Sequence, residues 1–503
     1  MECLSLRPRQ RVATAFAAFL VIAFAAVPTP AAAQSSVEYL PADLSVTGIS
    51  SDGSTIFGVA STPTGFHTFV RKDGDVTIFE LGGTQTVPAA ASRDGTTVVG
   101  TGEVAPDVFQ AFVWRAANAS LSLLAPNSVS SSANAVSADG TTIVGTEQVE
   151  GGSVGFVERN GVKFTLDFGG GKTIPYAVSA DGTTIVGSAI LPGSPNVQAF
   201  LWRLDDPEPT VIPLPGPLGE TIESESLNVS ADGSTVNGLH LDGETMRAFV
   251  WRTTDATASF ISLGGTDSSP GRVASNGSTV VGQALNRDGI PRGFAWRNGV
   301  VESLEPPAGR TYSTAFNVSA DGSRIVGFAW NEPTHTVDFD SMDVVLWDAG
   351  QPPRFLKDLL AAQGVTVGPA RLRLALSVSD DGTGFIGETF LRTPLPNGDF
   401  DDVSGSFAVV LSNAEPTPDP SEMICKLIAK VKCSNITPII KITLIAKLYV
   451  AYIAVELDSN WTAKQALRSF ASQVDAHSPS RIPAALADEW IDDALEIIDA
   501  LGG

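Results

Sequence analysis

Short runs of β-branched residues, separated by turns that contain glycine, recur along most of the chain. One phrase of nine residues, Ser-x-Asp-Gly-Ser/Thr-x-Ile/Val-x-Gly, dominates the pattern. Asp-Gly favours a hairpin turn because glycine accepts a positive φ, and the β-branched residues after it favour a strand. Each copy therefore predicts a β-hairpin, and its closing glycine predicts a bend or a close approach of two backbones. The third residue of the phrase falls at Asp52, Asp94, Asp139, Asp181, Asp232, Asn276, Asp321 and Asp381.

The spacing of the eight copies points to one architecture. Successive copies are 42, 45, 42, 51, 44, 45 and 60 residues apart, which is the range of a four-stranded propeller blade with two longer insertions. An aromatic phrase such as Ala-Phe-Val-Trp follows each turn. Its Phe and Trp are two residues apart and share one face of a strand, so we expect them to fill the space between neighbouring sheets. A sugar-stacking role for these tryptophans is the less favoured interpretation.

A third phrase predicts the outer strand of each sheet. Seven copies lie within the repeats, at residues 77–83, 121–125, 164–170, 211–214, 260–265, 300–304 and 355–360. The eighth repeat ends at Leu411 before a proline-rich segment, so residues 37–40 are predicted to supply its missing strand and to close the ring. The prediction is a mainly β fold over residues 35–412, an eight-bladed β-propeller closed by an N-terminal strand.

The residues of the repeat carry a family resemblance. Ala-Phe-Val-Trp at 111–114 and 248–251, coupled to Val-Ser-Ala-Asp-Gly-Thr-Thr-Ile-Val-Gly at 136–145 and 178–187, resembles the HAF-repeat family of bacterial extracellular proteins. The resemblance covers about residues 37–411. Arg71, Glu158 and Val409 replace the tryptophan, and Asn276 replaces the aspartate. The resemblance implies an extracellular propeller and transfers no catalytic residue.

The first 34 residues have the pattern of a secretory signal peptide. Arg7, Arg9 and Arg11 precede an apolar run over residues 12–27, and small residues follow up to Ala33. This pattern predicts cleavage near Ala33 or Gln34, with a retained membrane anchor as the alternative. The expected location is secreted or at the cell surface of a bacterium, or in the periplasm.

The charge of the chain restricts its partners. Removal of the first 34 residues takes away three basic side chains and one acidic side chain, which changes the net charge from -23 to -25. Such a chain repels phosphate backbones and anionic lipids, so we expect no nucleic-acid partner. Cations, neutral glycans or proteins remain as partners, although acidity also serves solubility alone.

A change of composition marks a second domain. A proline-rich linker over 413–421 precedes residues 422–503, which are predicted to form an α-helical domain with helical spacing at 436–455, 462–474 and 484–501. Lys441 and Lys447 interrupt the most apolar segment, which favours a core helix over a membrane span. Antiparallel helices could pair the early lysines with the late acids, or both sets could be solvated. An exposed apolar side could mediate self-association.

The two cysteines of this domain, Cys425 and Cys433, are candidates for a disulfide in an oxidising compartment. Eight residues of continuous helix would hold them about 12 Å apart, because a helix rises 1.5 Å per residue. A disulfide therefore requires a bend between them.

Two acidic loops are weak candidates for calcium, the only cofactor that the sequence suggests. The second begins like a calcium loop but has Asp402 where glycine belongs and Ala408 where the bidentate glutamate belongs. Solvated loop acids are the alternative. The candidate ligands are Asp338, Asp340 and Asp343 in the first loop, and Asn397, Asp399, Asp401 and Asp402 in the second.

No residue of the sequence qualifies as catalytic. The Gly-x-Ser-x-Gly match at 151–155 joins two strands, whereas the hydrolase motif requires a strand, a turn and a helix. Two functions remain: a noncatalytic extracellular propeller for binding or scaffolding, with a glycan or protein ligand, and a secreted carbohydrate-active enzyme, either a glycoside hydrolase or a polysaccharide lyase. A specific site should break the repeat symmetry, and the largest break lies between Trp330 and Ser379.

Overall fold

The structure, a computed structural model, describes residues 35–214, 222–243, 245–331, 342–368, 371–394, 400–412, 420–456 and 459–501. The predicted signal peptide lies outside these residues. The chain divides into a β unit, Ala33–Asn413, and a second compact unit that contains Ala414–Gly503.

The β unit is an eight-bladed propeller of four-stranded antiparallel sheets, as predicted. The first strand, β1 (Ser36–Tyr39), belongs to the last sheet. The other strands follow in chain order, four to each sheet in sheets 1 to 7 and three in sheet 8. Sheets 1 to 4 contain β2 (Leu44–Ile49), β3 (Thr55–Thr62), β4 (Gly65–Lys72) and β5 (Asp75–Phe79); β6 (Thr86–Ala91), β7 (Thr97–Ala105), β8 (Val108–Arg115) and β9 (Ser120–Leu123); β10 (Ser131–Val136), β11 (Thr142–Val149), β12 (Gly152–Arg159) and β13 (Val162–Leu166); and β14 (Thr173–Val178), β15 (Thr184–Ile190), β16 (Val197–Arg203) and β17 (Thr210–Val211).

The second half of the propeller repeats this order. Sheets 5 to 8 contain β18 (Ile222–Val229), β19 (Thr235–Asp242), β20 (Thr245–Arg252) and β21 (Ser259–Phe260); β22 (Gly264–Val273), β23 (Thr279–Asn286), β24 (Pro291–Arg297) and β25 (Val300–Leu304); β26 (Tyr312–Val318), β27 (Arg324–Trp330), β28 (Asp343–Asp348) and β29 (Arg354–Phe355); and β30 (Arg371–Val378), β31 (Gly384–Pro394) and β32 (Phe400–Val410) with β1. In sheet 8, β1 pairs antiparallel with β32, with Ser36 opposite Val410 and Tyr39 opposite Phe407.

Three outer strands are shorter than the sequence predicted. The strands expected at 211–214, 260–265 and 355–360 contain two residues each, β17, β21 and β29. In sheet 7 the chain turns into a short helix, α1 (Leu356–Ala362), whose Leu356 and Leu360 are fully buried. In a strand Asp358 would share the buried face of Leu356 and Leu360, but it is exposed, as a helix allows. The predicted strand at 355–360 is therefore wrong beyond Phe355.

The closing glycine of the repeat allows a close backbone approach, as expected. Each first strand carries a bulge that shifts its register to the second strand, such as the shift between Ala133 and Ala135 in β10. A Cβ atom on Gly145 would lie 2.1 Å from the carbonyl oxygen of Ser132, and one on Gly327 would lie 1.9 Å from that of Thr314. Only glycine fits opposite these bulges.

The Ser-x-Asp-Gly turns join neighbouring sheets. Within a turn, the Ser137 hydroxyl donates to Asp139 Oδ1 at 2.6 Å, and the Thr141 N–H donates to the same oxygen at 3.0 Å. Between turns, a main-chain N–H donates to a carbonyl of the next sheet, and the circle closes from sheet 8 to sheet 1. The eight pairs are Asp52 to Arg93, Arg93 to Ala138, Ala138 to Ala180, Ala180 to Ala231, Ala231 to Ser275, Asn276 to Ala320, Ala320 to Asp380 and Asp380 to Ser51, at 2.7 to 3.1 Å.

The repeated phenylalanine fills the space between sheets, as the sequence predicted. Phe156 of β12 packs with Val99, Ala111 and Val113 of sheet 2, and Phe200 of β16 packs with Val144 and Val157 of sheet 3. The equivalent side chains are almost inaccessible to solvent, and they are Phe69, Phe112, Phe156, Phe200, Phe249, Phe294 and Phe407.

The second unit is helical. It consists of α2 (Pro420–Cys433), α3 (Pro438–Glu456), α4 (Asn460–His477) and α5 (Ala484–Ala500) around a core that includes Phe470 and Trp490. Lys430 of α2 lies 2.8 Å from Glu489 and 2.7 Å from Asp493 of α5, and these two hydrogen bonds raise the pKa of its ammonium group. At this lysine, the early basic and late acidic residues do pair.

Two further predictions for this unit concern its cysteines and its most apolar helix. Cys425 and Cys433 lie in one continuous helix, α2, and no disulfide joins them. None of the described helices is long and apolar enough to cross a membrane.

Candidate functional site

A central channel runs through the propeller. The first strands of all eight sheets line a cavity of about 330 Å³, so residues far apart in sequence meet around one axis. One lining residue of each sheet, in chain order, is Thr47, Ala89, Asn134, Tyr176, Leu227, Arg272, Asn317 and Leu376.

An ion pair stands at the end of the channel where the turns lie. Arg93 Nη2 is 3.4 Å from Asp380 Oδ2, and the Ser275 hydroxyl is 3.5 Å from Asp380 Oδ1. Burial raises the pKa of Asp380, while the charge of Arg93 and the hydroxyl of Ser275 oppose that rise. Both charged residues occupy the variable position of the repeat phrase.

Polar side chains of several sheets line the channel, among them Tyr176, Asn228 and Arg272. The Tyr176 hydroxyl donates to Glu225 Oε1 at 3.2 Å, and burial together with this carboxylate raises the pKa of the phenol. On the adjoining wall, Arg272 Nη1 donates to Asn228 Oδ1 at 3.1 Å. The Arg272 side chain is exposed to the channel, and desolvation by the protein around it lowers the pKa of its guanidinium.

Four aromatic side chains form a cluster in sheet 7. The aromatic cluster comprises Tyr312 and Phe316 of β26 and Phe328 and Trp330 of β27. Ring centroids are 5.3 Å apart for Phe316 and Phe328, 5.2 Å for Phe328 and Trp330, and 5.5 Å for Tyr312 and Trp330. Phe316 is the bulged residue of its strand and keeps 40% of its surface exposed.

The aromatic cluster borders a second cavity, which we call the aromatic cleft. The aromatic cleft has a volume of about 210 Å³ and is bounded by Phe316, Phe328 and Trp330 of sheet 7 and by Pro270 and Gly271 of sheet 6. Ser269, Gln283 and Thr314 add polar groups to its wall. Because Gly271 lines the cleft and the next residue, Arg272, lines the channel cavity, the two cavities adjoin along β22.

A larger groove, of about 440 Å³, lies between sheets 2 and 3. It is lined by residues 124–129, 147–150 and 163, none of which is aromatic, and two of them, Lys163 and Glu147 of sheet 3, form an ion pair. Volume alone therefore does not identify a ligand-binding site, since a ligand that contains a ring also needs apolar protein surface to contact.

The calcium candidates fall mostly outside the described residues. Asp338 and Asp340, like Asn397 and Asp399, lie in segments that the structure does not describe, while Asp401 and Asp402 lie on β32. Asp343 is buried and neutralises Arg310 and, at 3.0 Å, Lys357. Within the described part of the chain, no group of three acidic, histidine or cysteine residues could hold a metal ion. Calcium binding at these loops stays a prediction.

The rejected hydrolase motif lies in a hairpin. Gly152 to Gly155 belong to β12, and the Ser153 hydroxyl accepts a hydrogen bond from Gln148 Nε2 of the preceding strand at 2.7 Å. The serine therefore occupies no strand-to-helix turn.

The helical unit by itself leaves an apolar stripe exposed on α3. Ile442, Tyr449, Val450 and Ile453 are 66%, 38%, 52% and 55% exposed, at spacings that place them on one helix face. Self-association through this stripe stays a prediction.

The sequence interpretation missed the residues that distinguish the channel. Arg272, Asn228 and the aromatic cluster come from different strands, and none belongs to a recognised motif. One signal was present: Thr-Val-Asn-Gly at 235–238 has Asn237 where the other seven copies have an apolar residue.

The fold and the site define the protein as an eight-bladed β-propeller with a polar channel and an adjoining aromatic cleft. No family model matches the chain, and no curated protein matches it either. Among solved structures, it is similar to a prolyl endopeptidase, at 12% identity over 73% of this chain and 54% of that chain, with a TM-score of 0.44. The chain therefore spans about half the length of that enzyme.

Two further solved structures are similar at the same low level. The β-propeller domain of the Trilobed protease from Pyrococcus furiosus is 11% identical over 62% of this chain and 97% of that chain, with a TM-score of 0.40. TolB from Acinetobacter baumannii is 11% identical over 60% of this chain and 78% of that chain, with a TM-score of 0.32.

Proposed function

We propose that this protein is an exported, noncatalytic β-propeller that binds a carbohydrate in the aromatic cleft. The observation that carries the proposal is the aromatic cluster, which departs from the repeat in sheet 7. Export rests on the predicted signal peptide, and an extracellular or periplasmic location is part of the proposal.

The repeat itself separates packing from binding. Phe328 follows the closing glycine of its repeat, and no other repeat has an aromatic residue there. A residue needed for the propeller fold would recur in every sheet, so Phe328 serves something specific to sheet 7. The equivalent residues are Val59, Thr101, Thr146, Ser188, Leu239, Gln283 and Glu388.

The chemistry of the cleft suits a sugar ring. The C–H groups of a pyranose carry partial positive charge and contact the negative face of an aromatic ring, here the exposed face of Phe316. Hydroxyl and amide groups of Ser269, Gln283 and Thr314 offer hydrogen bonds to sugar hydroxyls. At about 210 Å³ the cleft is smaller than a pocket for a drug-sized ligand, about 300–1,000 Å³, and accommodates one ring.

The residues of the cleft favour binding over catalysis. Glycoside hydrolysis requires a pair of carboxyl groups, one on each side of the scissile bond. Among the described residues, no aspartate or glutamate lines the aromatic cleft. In the part of the chain that the structure describes, Asp380 is the one carboxylate that lines the adjoining channel cavity, and it is ion-paired with Arg93. A carbohydrate-active enzyme is the alternative that the experiment below also tests.

The test is a glycan-array screen of the purified protein without residues 1–34, followed by calorimetric titration of the strongest neutral oligosaccharide. Phe316→Ala should weaken binding about tenfold, since truncation removes the stacking surface. Phe66→Ala is the matched control, because Phe66 is 58% exposed on sheet 1, away from the cleft. The Phe66→Ala variant should bind the oligosaccharide with the affinity of the unaltered protein.

Two results contradict the proposal. If no oligosaccharide binds, or if Phe316→Ala and Phe66→Ala bind alike, the cleft is not a carbohydrate site. If chromatography of the mixtures finds shortened or unsaturated products, the protein is an enzyme and the noncatalytic assignment is wrong.

A further inference from the structure

Arg272 is an exception among the residues of the channel wall. It is the second residue before the repeat phrase in sheet 6, where the other sheets have small or amide side chains. The equivalents are Gly48, Ala90, Ala135, Ala177, Asn228, Asn317 and Ser377. The fold therefore requires no charge at this position.

The guanidinium lines the channel without a counter-ion among the described residues. Its hydrogen bond goes to a neutral acceptor, Asn228 Oδ1, and no described carboxylate lies within 4.0 Å. Desolvation by the surrounding protein lowers the pKa of Arg272, and no neighbouring negative charge raises it. The side chain keeps its charge at neutral pH, so an anionic ligand in the channel would meet a guanidinium that no described carboxylate neutralises.

Two amide side chains hold Arg272 in place. Asn237 is fully buried, and its Nδ2 donates to the Gly271 carbonyl at 2.9 Å. Asn228 Nδ2 donates to Asn237 Oδ1 at 3.0 Å and to Gly271 O at 3.1 Å, which aims Asn228 Oδ1 at the guanidinium. The other seven copies have Phe57, Val99, Val144, Val186, Val281, Val326 and Ile386 at the position of Asn237.

A buried asparagine in place of an apolar residue costs stability unless its hydrogen bonds are made. In this network the hydrogen bonds of Asn237 hold Asn228 and Gly271, the two residues next to Arg272 at the channel. The departures from the repeat at Asn228, Asn237 and Arg272 therefore act together. Among the described residues, one acceptor, Asn228 Oδ1, takes a hydrogen bond from the guanidinium, which has five N–H groups, and the side chain lines the channel cavity.

We propose that Arg272 binds a carboxylate, and that the ligand of the aromatic cleft is a uronic acid: its ring lies on the cluster and its carboxylate meets the guanidinium. The inference rests on the proposed function and adds the chemical class of the sugar. The net charge of -25 after loss of residues 1–34 repels polyanions. The ligand is therefore a single uronate or a short oligosaccharide that carries one carboxylate.

The experiment compares methyl glycosides of glucose and galactose with their uronates, each titrated calorimetrically into the full chain without residues 1–34. The unaltered protein should bind one uronate about tenfold more tightly than its neutral counterpart, the effect of one charge-assisted pair. Arg272→Gln should abolish this difference and keep the affinity for the neutral sugar.

Two further variants separate the site from general effects. Asn237→Val restores the apolar residue type of the other repeats and should reduce the preference for uronate while the melting temperature stays high. Arg93→Gln removes a different channel arginine, one already paired with Asp380, and should keep the preference unchanged.

The outcomes distinguish the two proposals. Equal affinity for sugar and uronate, unchanged by Arg272→Gln, overturns the carboxylate site and leaves the carbohydrate proposal standing. Failure to bind any neutral sugar or uronate overturns both. Displacement of the uronate by inorganic phosphate at equal concentration would show a general anion site and overturn the assignment to carboxylates.

Discussion

At single positions of the repeat, differences of a few tenths of an ångström in the distance between atoms decide which residue type fits. The closing glycine lies opposite a bulge, where the carbonyl of the neighbouring strand occupies the space of a side chain. At Gly145 the Ser132 oxygen is 2.1 Å from the place of a Cβ atom, closer than any real contact. This crowding, rather than a positive φ, explains why glycine closes every copy of the phrase.

Gly145→Ala should destabilise the propeller by about 1–3 kcal/mol, because either the bulge or strand β11 must move. Gly293→Ala is the matched control. Its Cβ would lie 3.3 Å from the nearest atoms, and the same position holds Ala111, Ala199 and Ala248 in three other sheets. Urea denaturation of both variants would measure the two changes, and equal free energies of unfolding would refute the explanation.

At the scale of elements, the sheet that combines both ends of the β unit differs from the others. Its outer strand, β1, comes from the start of the described chain, and further contacts attach it. The Ser412 N–H donates to the Ser35 hydroxyl at 2.7 Å, and the Gly368 N–H donates to the Tyr39 hydroxyl at 3.1 Å. Val37 packs against the core between sheets 7 and 8.

Removal of residues 35–40 from the protein that already lacks residues 1–34 should lower the melting temperature by several degrees, since β32 would lose its partner and expose its edge. Glu38→Gln is the control, because it removes only the exposed ion pair with Arg71 at 2.8 Å and should cost little. A truncated protein that melts at the same temperature as the unaltered one would contradict a closing role for β1.

At the scale of the whole molecule, the turns form one connected circle. Burial alone would raise the pKa of the turn carboxylates, but hydrogen bonds from the serine hydroxyl and from main-chain N–H groups outweigh it and lower the pKa of Asp52, Asp94, Asp139, Asp181, Asp232, Asp321 and Asp381. Asp380, whose pKa burial raises, acts in the opposite direction. The seven turn carboxylates therefore favour the folded state when they are ionised, and Asp380 does not.

A carboxylate whose pKa is lower in the folded state stabilises the fold above its unfolded pKa, about 3.9, and loses that contribution as the pH falls through the folded value. The propeller should therefore lose stability steeply below about pH 4. Melting temperatures measured from pH 6 to pH 3 would test this. Asn276→Asp adds an eighth titrating turn and should increase the loss, whereas a flat profile would refute the argument.

The propeller was predictable because each repeat encodes its own hairpin locally. Turn chemistry, strand propensity and a shared face for Phe and Trp all act within about 45 residues, the length of a repeat. The number of sheets, the role of the glycines, the packing of Phe156 and its equivalents and the helical character of the last 80 or so residues follow from such short-range patterns. The helix α1 was missed because burial of Leu356 and Leu360 by neighbouring sheets decided its form.

The candidate site was decided by tertiary structure. Arg272, Asn228 and Asn237 come from two sheets, and the aromatic cluster meets Pro270 and Gly271 only because sheets 6 and 7 adjoin. Sequence alone determined a ring of similar sheets, since local interactions repeat. Which departures from the repeat gather around one cavity depends on the closure of the ring, because only closure brings residues from separate repeats to a common axis.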